Sequence, residues 1–580
     1  MKGFKLIALK TGAEQKRFIT IPGGNRKIDP YKVLKTNTVY PFYSSFSFPN
    51  RDFSKVVVNN ETVIDLYSLE IEGNEIEVNI SAVVGKNGSG KSSLIELLYL
   101  ATYNLGTFLN LLRDPNNNRV LKPFKELEIE LLYKIDNTFF VINLSEGSIN
   151  KNVLLNKGDT LFRDNDKSSV FTKADFNTYF YTITVNYSHY ALNALEVGRW
   201  VNSLFHKNDG YQTPIVLNPM RDNGNIDIVR ENRLLKRRLQ ANLLQDTKQQ
   251  DPKKTLRNIA NNKIAEKIEL IYNPENLKHS EYELEAPYNK EIRGKVVSAF
   301  ENTFDFQITK HDLDFNLFTN ISINYICSKL LKIAIHYRPY HKYYNEVDGR
   351  KFLRNINALI KEVKTSNSHI FFKVKGAILY LKYYDWLLGN VDGNMSRKFD
   401  LIIEDYATKI QKIIDNESCF VNTYMMAPPS FFNTNIILDD GTNIDSLSSG
   451  EKQKVHSISS IIYHIINLNS VSDYNSKYDT ENEFHSYQYL NIVLDEIELY
   501  YHPEWQRTYI NDMLDAIGKI NFTNIAFIKG LNIVFLTHSP YILSDIPIGY
   551  FGVMVPPVSV KQCHFERYCN YIKKLMLFVL

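Results

Sequence analysis

The sequence predicts an α/β protein with a mainly parallel central sheet, an antiparallel β lobe near the N-terminus and a large, mostly helical insertion. Three observations carry this. Short apolar runs at residues 76–84, 489–494 and 532–536 are each followed by a turn, two of them by a clear helix, as for strands buried on both faces of a parallel sheet. Residues 127–133 and 138–144 read as a hairpin. Between these regions, roughly 190–430, the chain turns charge-rich and helical in period.

Taken in order, residues 4–9, 55–58 and 76–84 are strands, and the last runs into a glycine-rich turn and a helix beginning near Lys91. Residues 177–186, rich in Tyr, Thr and Val, form another strand. In the insertion the clearest helix is 399–414, with Phe399, Ile402, Ile403, Tyr406, Ile410, Ile413 and Ile414 on one face; 351–364 is a second. Neither continues as a coiled coil. Residues 446–467 read as a turn plus helix, 471–485 as a polar surface loop, 489–494 as a buried strand, 503–520 as a helix and 532–536 as a last buried strand. The domains expected are 1–190 and 431–580, two halves of one split fold, flanking an insertion at 191–430.

The 580 residues are 44% hydrophobic and 23% charged, the balance of a folded globular chain rather than a disordered one. The net charge of +4 neither requires nor excludes nucleic acid, so only a local patch bears on it. The best patch is Arg230, Arg233, Lys236, Arg237 and Arg238, followed by Lys253, Lys254 and Arg257. It reads either as a phosphate-tracking face or as a solvated helix surface. Cys327, Cys419, Cys563 and Cys569 form no CxxC pair, which fits a reducing compartment. Cys563, His564 and Cys569 lack the second ligand pair of a zinc site. The first residues lack a signal peptide's apolar run, and no stretch is long enough for a membrane span, so a cytoplasmic protein is expected.

Residues 85–92, Gly-Lys-Asn-Gly-Ser-Gly-Lys-Ser, match GxxxxGK[ST] at every defined position, between a strand and a helix. Glycines there let backbone N–H groups turn inward on phosphate oxygens, and the helix adds its positive end. Lys91 would reach the β- and γ-phosphates of ATP, and the Ser92 hydroxyl would bind Mg²⁺. The strand at 489–494 ends in Asp495, placed to hold Mg²⁺, and Glu496, placed to orient or deprotonate the attacking water. Residues 447–451, Leu-Ser-Ser-Gly-Glu, put Ser449 and Gly450 at a helix N-terminus. By itself this is equally an ordinary capping turn.

In this order, a phosphate loop, LSSGE, a strand ending in Asp-Glu and then His538 after another strand, the chain resembles the ABC-type ATPase head. The large gap between loop and signature is similar to the SMC, RecF and OLD-like branch. Residues 495–506, Asp-Glu through His-Pro-Glu-Trp-Gln, and 537–540, Thr-His-Ser-Pro, look most like stand-alone bacterial antiphage-defence ATPases of the Septu and retron-Septu (PtuA) type. The resemblance covers about 80–100 and 440–546.

It implies ATP and Mg²⁺ as cofactors, nucleotide contacts from Gly85, Lys86, Asn87, Gly88, Ser89, Gly90, Lys91, Ser92 and Ser93, and Mg²⁺ held by Ser92 and Asp495. It also implies catalytic roles for Lys91, Glu496 and the switch histidine His538. Ser449, Gly450 and Glu451 would complete the site of a second copy in a homodimeric ATP sandwich. A separate HNH-type nuclease subunit is the partner implied, because residues 546–580 are too few for a nuclease domain. Nucleic acid is a further candidate partner and a membrane is not.

The implied role is a regulatory or sensor ATPase in antiphage defence. The alternatives are a DNA-repair or chromosome-maintenance ATPase of the SMC/RecF kind, or a module using ATP as structural glue, against which Glu496 argues. Two departures stand out. No glutamine ends the strand at 182–186, which leads into Tyr187, Ser188 and His189, and His502 stands where transporters carry an aspartate.

Overall fold

The computed structural model describes residues 3–553 apart from 23, 60–66, 72–73, 87, 115–118, 189–190, 206–210, 223, 246–251, 253–254, 261–262, 274–285, 348–349, 390–397, 476–484, 521–527 and 548–549. The chain forms two compact units, the first from residues 1–231, 485–518 and 524–580, the second from 232–484 and 519–523. The boundaries expected from the sequence are 190 and 430. The units divide instead near 231 and 484, so the signature turn belongs to the second unit.

In the first unit the strands Ile215–Asn218, Phe180–Asn186, Tyr489–Asp495, Gly530–Leu536, Asn74–Val84 and Phe551–Val553 lie side by side in that order. All five neighbouring pairs are parallel. Ser68–Ile71 adds an antiparallel edge to Asn74–Val84. Every residue of Tyr489–Asp495 and of Gly530–Leu536 is buried, as the unbroken apolar runs require of strands covered on both faces.

One rung breaks the apolar pattern. Asn79, Asn532, Asn491 and Thr182 are in register across four strands. Asn532 Nδ2 donates to Asn491 Oδ1 at 2.8 Å, and Asn491 Nδ2 to Thr182 Oγ1 at 3.4 Å. A linked polar row of this kind tolerates burial where a lone amide would be costly.

A second sheet in this unit has nine strands among the described residues and is antiparallel at each pairing. The hairpin Ile129–Ile135 and Thr138–Ser145 lies within it, beside Phe4–Thr11.

The second unit has its own core. Helices Ala286–Phe304, Leu317–His336, Ile356–Thr365, His369–Leu388 and Ile403–Asn416 contribute Phe300, Ile326, Leu359, Ile378 and Ile410. This unit also holds an antiparallel sheet of Asn258–Ala260, Lys263–Tyr272, Lys398–Ile402 and Phe432–Leu438.

This corrects the helix expected at 399–414. Lys398–Ile402 is a strand and the helix starts at Ile403. Along that strand Phe399 is buried and Lys398 and Asp400 are exposed, a period of two. Its pairing partner lies far away in sequence, and Lys398 forms an ion pair with Glu269 at 2.6 Å across the ladder. Likewise Arg350–Leu353 pairs as a hairpin before the helix Ile356–Thr365 begins. The signature helix, Ser449–Asn475, runs past 467 into the stretch expected as loop.

Lys375 lies wholly buried, its ammonium donating to the carbonyls of Lys364, Ser366 and Phe420 at 2.9–3.1 Å. No described helix is long and apolar enough to cross a membrane.

Candidate functional site

The C-terminal ends of the parallel strands gather the chemistry, the usual place for ligands in an open α/β sheet. Asn74–Val84 leads into the glycine-rich loop, and Lys91–Phe108 is the helix that follows. Gly88 and Gly90 have φ of 77° and 99°, a left-handed backbone that other residues resist. A side chain at Gly88 would meet no atom within 4 Å, so backbone strain rather than crowding favours glycine there. Gly85, Ser89, Gly90 and Lys91 are buried, Ser92 and Ser93 half-buried, and Lys86 and Gly88 exposed; Asn87 lies outside the described residues.

Lys91 points back over its own loop. Its Nζ donates to the Gly85 carbonyl at 3.1 Å and meets His538 Nε2 at 2.6 Å. Burial pulls the Lys91 ammonium below its usual range, opposed by Glu496, Asp495 and Glu498. His538 is pulled down by burial and then by Lys91, with Glu496 opposing. A neutral His538 accepting from Lys91 fits both directions.

Asp495 ends its strand in register with Leu536 on one side and Asn186 on the other. Asn186 Nδ2 donates to Asp495 Oδ2 at 2.7 Å. The other oxygen, Oδ1, is buried with no hydrogen-bond partner among the described residues, as is Ser89 Oγ. A buried carboxylate oxygen without a partner, on a residue that Lys91 acts on, is what a hard cation with oxygen ligands would satisfy. The donor set, with the Ser92 hydroxyl beside Lys91, therefore fits Mg²⁺. Glu496 follows at φ 49°, an uncommon conformation for a residue other than glycine, and its N–H donates to the Leu536 carbonyl at 3.0 Å. Such strain is concentrated at functional sites.

Burial first, then Glu496 and Glu498, push the Asp495 carboxyl up to about 7, with Lys91 pulling the other way. Glu498 is raised as well, chiefly by burial. Native carboxyls raised in this way keep protons that the unfolded chain releases near pH 4. Their contribution to stability is therefore full below about pH 4 and falls as the pH rises towards 7, where it levels off. The protein without nucleotide or metal is expected to lose stability between pH 5 and 8, and Asp495→Asn to flatten that loss. Urea midpoints of both proteins at pH 5.5 and 8 check this.

Several residues at the site escaped the sequence reading. Glu498 Oε1 accepts from Thr537 Oγ1 and, at 3.1 Å, from the His538 N–H, tying the acidic turn to the histidine. Gln506 accepts from Ser539 Oγ and donates to the Tyr501 carbonyl at 2.9 Å. The His-Pro-Glu-Trp-Gln and Thr-His-Ser-Pro segments are thus physically joined. His502 is exposed and starts the helix Pro503–Gly518, its carbonyl accepting from the Trp505 and Gln506 amides. Where no glutamine was found, Asn186 stands instead. The only signal for it was its place at a strand end.

The signature turn lies in the second unit. Ser448 and Glu451 form a reciprocal cap: Ser448 N donates to Glu451 Oε2 at 2.9 Å and Glu451 N to Ser448 Oγ at 3.3 Å. Ser449 is exposed, Gly450 buried, and Glu451 also pairs with Lys263 at 3.4 Å.

The basic residues at 230–238 do not share one fate. Arg230 and Arg233 are exposed. Lys236 binds Asp445 at 2.6 Å, Arg237 the Ser430 carbonyl at 3.0 Å, and Arg238 Ser460 Oγ at 2.7 Å. Arg257 is buried, and Lys253 and Lys254 lie outside the described residues. Cys563, His564 and Cys569 also lie outside them.

Residues 61–543 match the family model described as AAA ATPase domain. No curated protein matches the chain. Among solved structures the chain is similar to one described as the recombination mediator protein RecF-ATPrS in the RecFOR pathway. That match has 11% identity and a TM-score of 0.21, and covers 94% of this chain and 95% of the other.

Proposed function

Because this chain belongs to the AAA ATPase domain family, we propose that it binds ATP with Mg²⁺ at the edge formed by residues 85–92, 495–498 and 537–539, and hydrolyses it. The convergence of Lys91, Asp495, Glu496 and His538 on one sheet edge is the observation that carries this reading. Lys91 holds the β- and γ-phosphates once they displace His538 from its ammonium. Asp495, with Ser92, would hold the metal, which would supply Lewis-acid polarisation of the phosphate. Glu496 takes the proton of the attacking water, and His538, freed from Lys91, turns to the γ-phosphate.

The site is completed by a second copy of the chain. A phosphate loop grips one side of the triphosphate, and the helix N-terminus at Ser449 and Gly450 offers free N–H donors for the other. Two-fold pairing then creates two identical composite sites. Gly450→Asp is expected to block closure while sparing nucleotide binding at Lys91. Mixing Gly450→Asp chains with Lys91→Ala chains leaves one intact site per mixed dimer, so part of the ATPase rate should return. A Gly450→Asp protein that hydrolyses ATP at the wild-type rate as a monomer would rule the shared site out.

The cellular role we propose is a regulatory subunit of an antiphage defence system that controls a separate nuclease. Its support is the resemblance of residues 495–506 and 537–540 to defence ATPases. The exposed Arg230 and Arg233 favour the second reading, a DNA-repair or chromosome-maintenance ATPase. The two diverge in one assay, hydrolysis with and without duplex DNA at low salt. Strong stimulation supports DNA maintenance; an unchanged rate, with co-purification of a co-expressed neighbouring nuclease, supports defence.

A further inference from the structure

Arg221 is almost fully buried, at 3% exposure, and sits in the two-residue strand Arg221–Asp222 that follows the sheet's edge strand Ile215–Asn218. A buried guanidinium ordinarily pairs with a carboxylate. The hydrogen bonds of this one go to neutral acceptors: Nη1 donates to the Ala191 carbonyl at 2.8 Å, and Nη2 to the Asn186 carbonyl at 2.8 Å and to Asn186 Oδ1 at 3.2 Å, while the charge of Asp495 acts on it from behind that amide.

Asn186 Oδ1 also accepts from the Ser188 N–H at 2.9 Å. With two donors aimed at Oδ1, the amide has only one orientation that satisfies it, and Nδ2 must face Asp495, where it lies 2.7 Å from Oδ2. Asp495 is thereby held by one oxygen, and the other, Oδ1, is left without a partner among the described residues.

We propose that Arg221 is a positioning residue that acts through Asn186 to fix the Asp495 carboxylate, so that its second oxygen is presented to the nucleotide-bound cation. The chain of contacts runs from guanidinium to amide to carboxylate. An aspartate released from this hold could turn Oδ1 towards other donors, or present it at the wrong angle to an ion that demands near-octahedral geometry. Residues standing behind metal ligands in this way are worth about 10- to 100-fold in metal affinity.

The inference rests on the reading of Asp495 as a cation ligand, and one experiment separates the two. ATP affinity of the full chain is measured by calorimetry in excess EDTA and in excess Mg²⁺, and the ratio of the two Kd values is taken. The wild type is expected to bind more tightly with Mg²⁺. Arg221→Gln and Asn186→Leu should each cut that ratio about 10- to 100-fold, while the EDTA value, set by Lys91 and the loop, stays within about twofold of wild type.

The double variant should lose no more than either single one, because both act along one path. If Arg221→Gln fails to fold, as melting curves would show, Asn186→Leu alone must reproduce the lost ratio. A wild type with no Mg²⁺ dependence would overturn the reading of Asp495 itself. A Mg²⁺-dependent wild type overturns the Arg221 proposal alone if the variants keep the full ratio, lose EDTA binding equally, or add their effects.

Discussion

Glu496→Gln is expected to bind ATP as tightly as the wild type and to hydrolyse it about 10²–10⁴-fold more slowly, the usual cost of losing a general base. The amide matches the carboxylate in size and can still hold a water, but it cannot take the proton. Two features of the structure make the expectation specific to this residue. Its backbone is held at φ 49° by the hydrogen bond from its N–H to the Leu536 carbonyl, a contact that the substitution leaves intact. Its side chain is half-buried, unlike that of Asp495, so water can reach it. Single-turnover hydrolysis beside equilibrium ATP binding measures both halves of the prediction. An unchanged turnover rate would remove Glu496 from the role of base.

Lys91→Ala is expected to abolish useful ATP binding. The ammonium bonds to Gly85 and His538 and opposes the charges of Asp495, Glu496 and Glu498. Its loss leaves those carboxylates uncompensated at the place where phosphate charge must arrive. Removing one partner of a buried, hydrogen-bonded charge pair costs about 2–5 kcal/mol, or roughly 30- to 4,000-fold in Kd. Lys91→Arg should not restore binding, because a planar fork cannot take the place of a compact ammonium in this loop. Titration calorimetry of the three proteins with ATP tests this, and equal affinity for the alanine variant would refute the assignment.

Much of the site was legible because it is encoded locally. The phosphate loop, Asp495-Glu496 and His538 each follow a short apolar run, and a parallel sheet brings the ends of such runs to one edge whatever separates them in sequence. What was hidden depends on partners distant in the chain. Asn186 and Arg221 acquire meaning only when register sets Asn186 opposite Asp495. Glu498 carries no signal of its own in the sequence, and its role shows only where its carboxylate accepts from the His538 N–H.

The insertion was misread for the same reason. Phe399 suits a helix face and a strand face equally, and pairing with residues 263–272 decides between them. The basic run at 230–238 shows the reverse case: helical spacing puts Arg233, Lys236 and Arg237 on one side, yet Lys236 and Arg237, like Arg238, are engaged by residues between 430 and 460.

The central claim, that ATP draws two chains together around shared sites, is tested most directly by the mass of the Glu496→Gln protein in solution with and without MgATP. Slow hydrolysis should trap the closed form, so sedimentation is expected to show single chains without nucleotide and dimers with it, the shift disappearing when Gly450→Asp is added. A protein that binds ATP to saturation and still sediments as one chain would contradict the account.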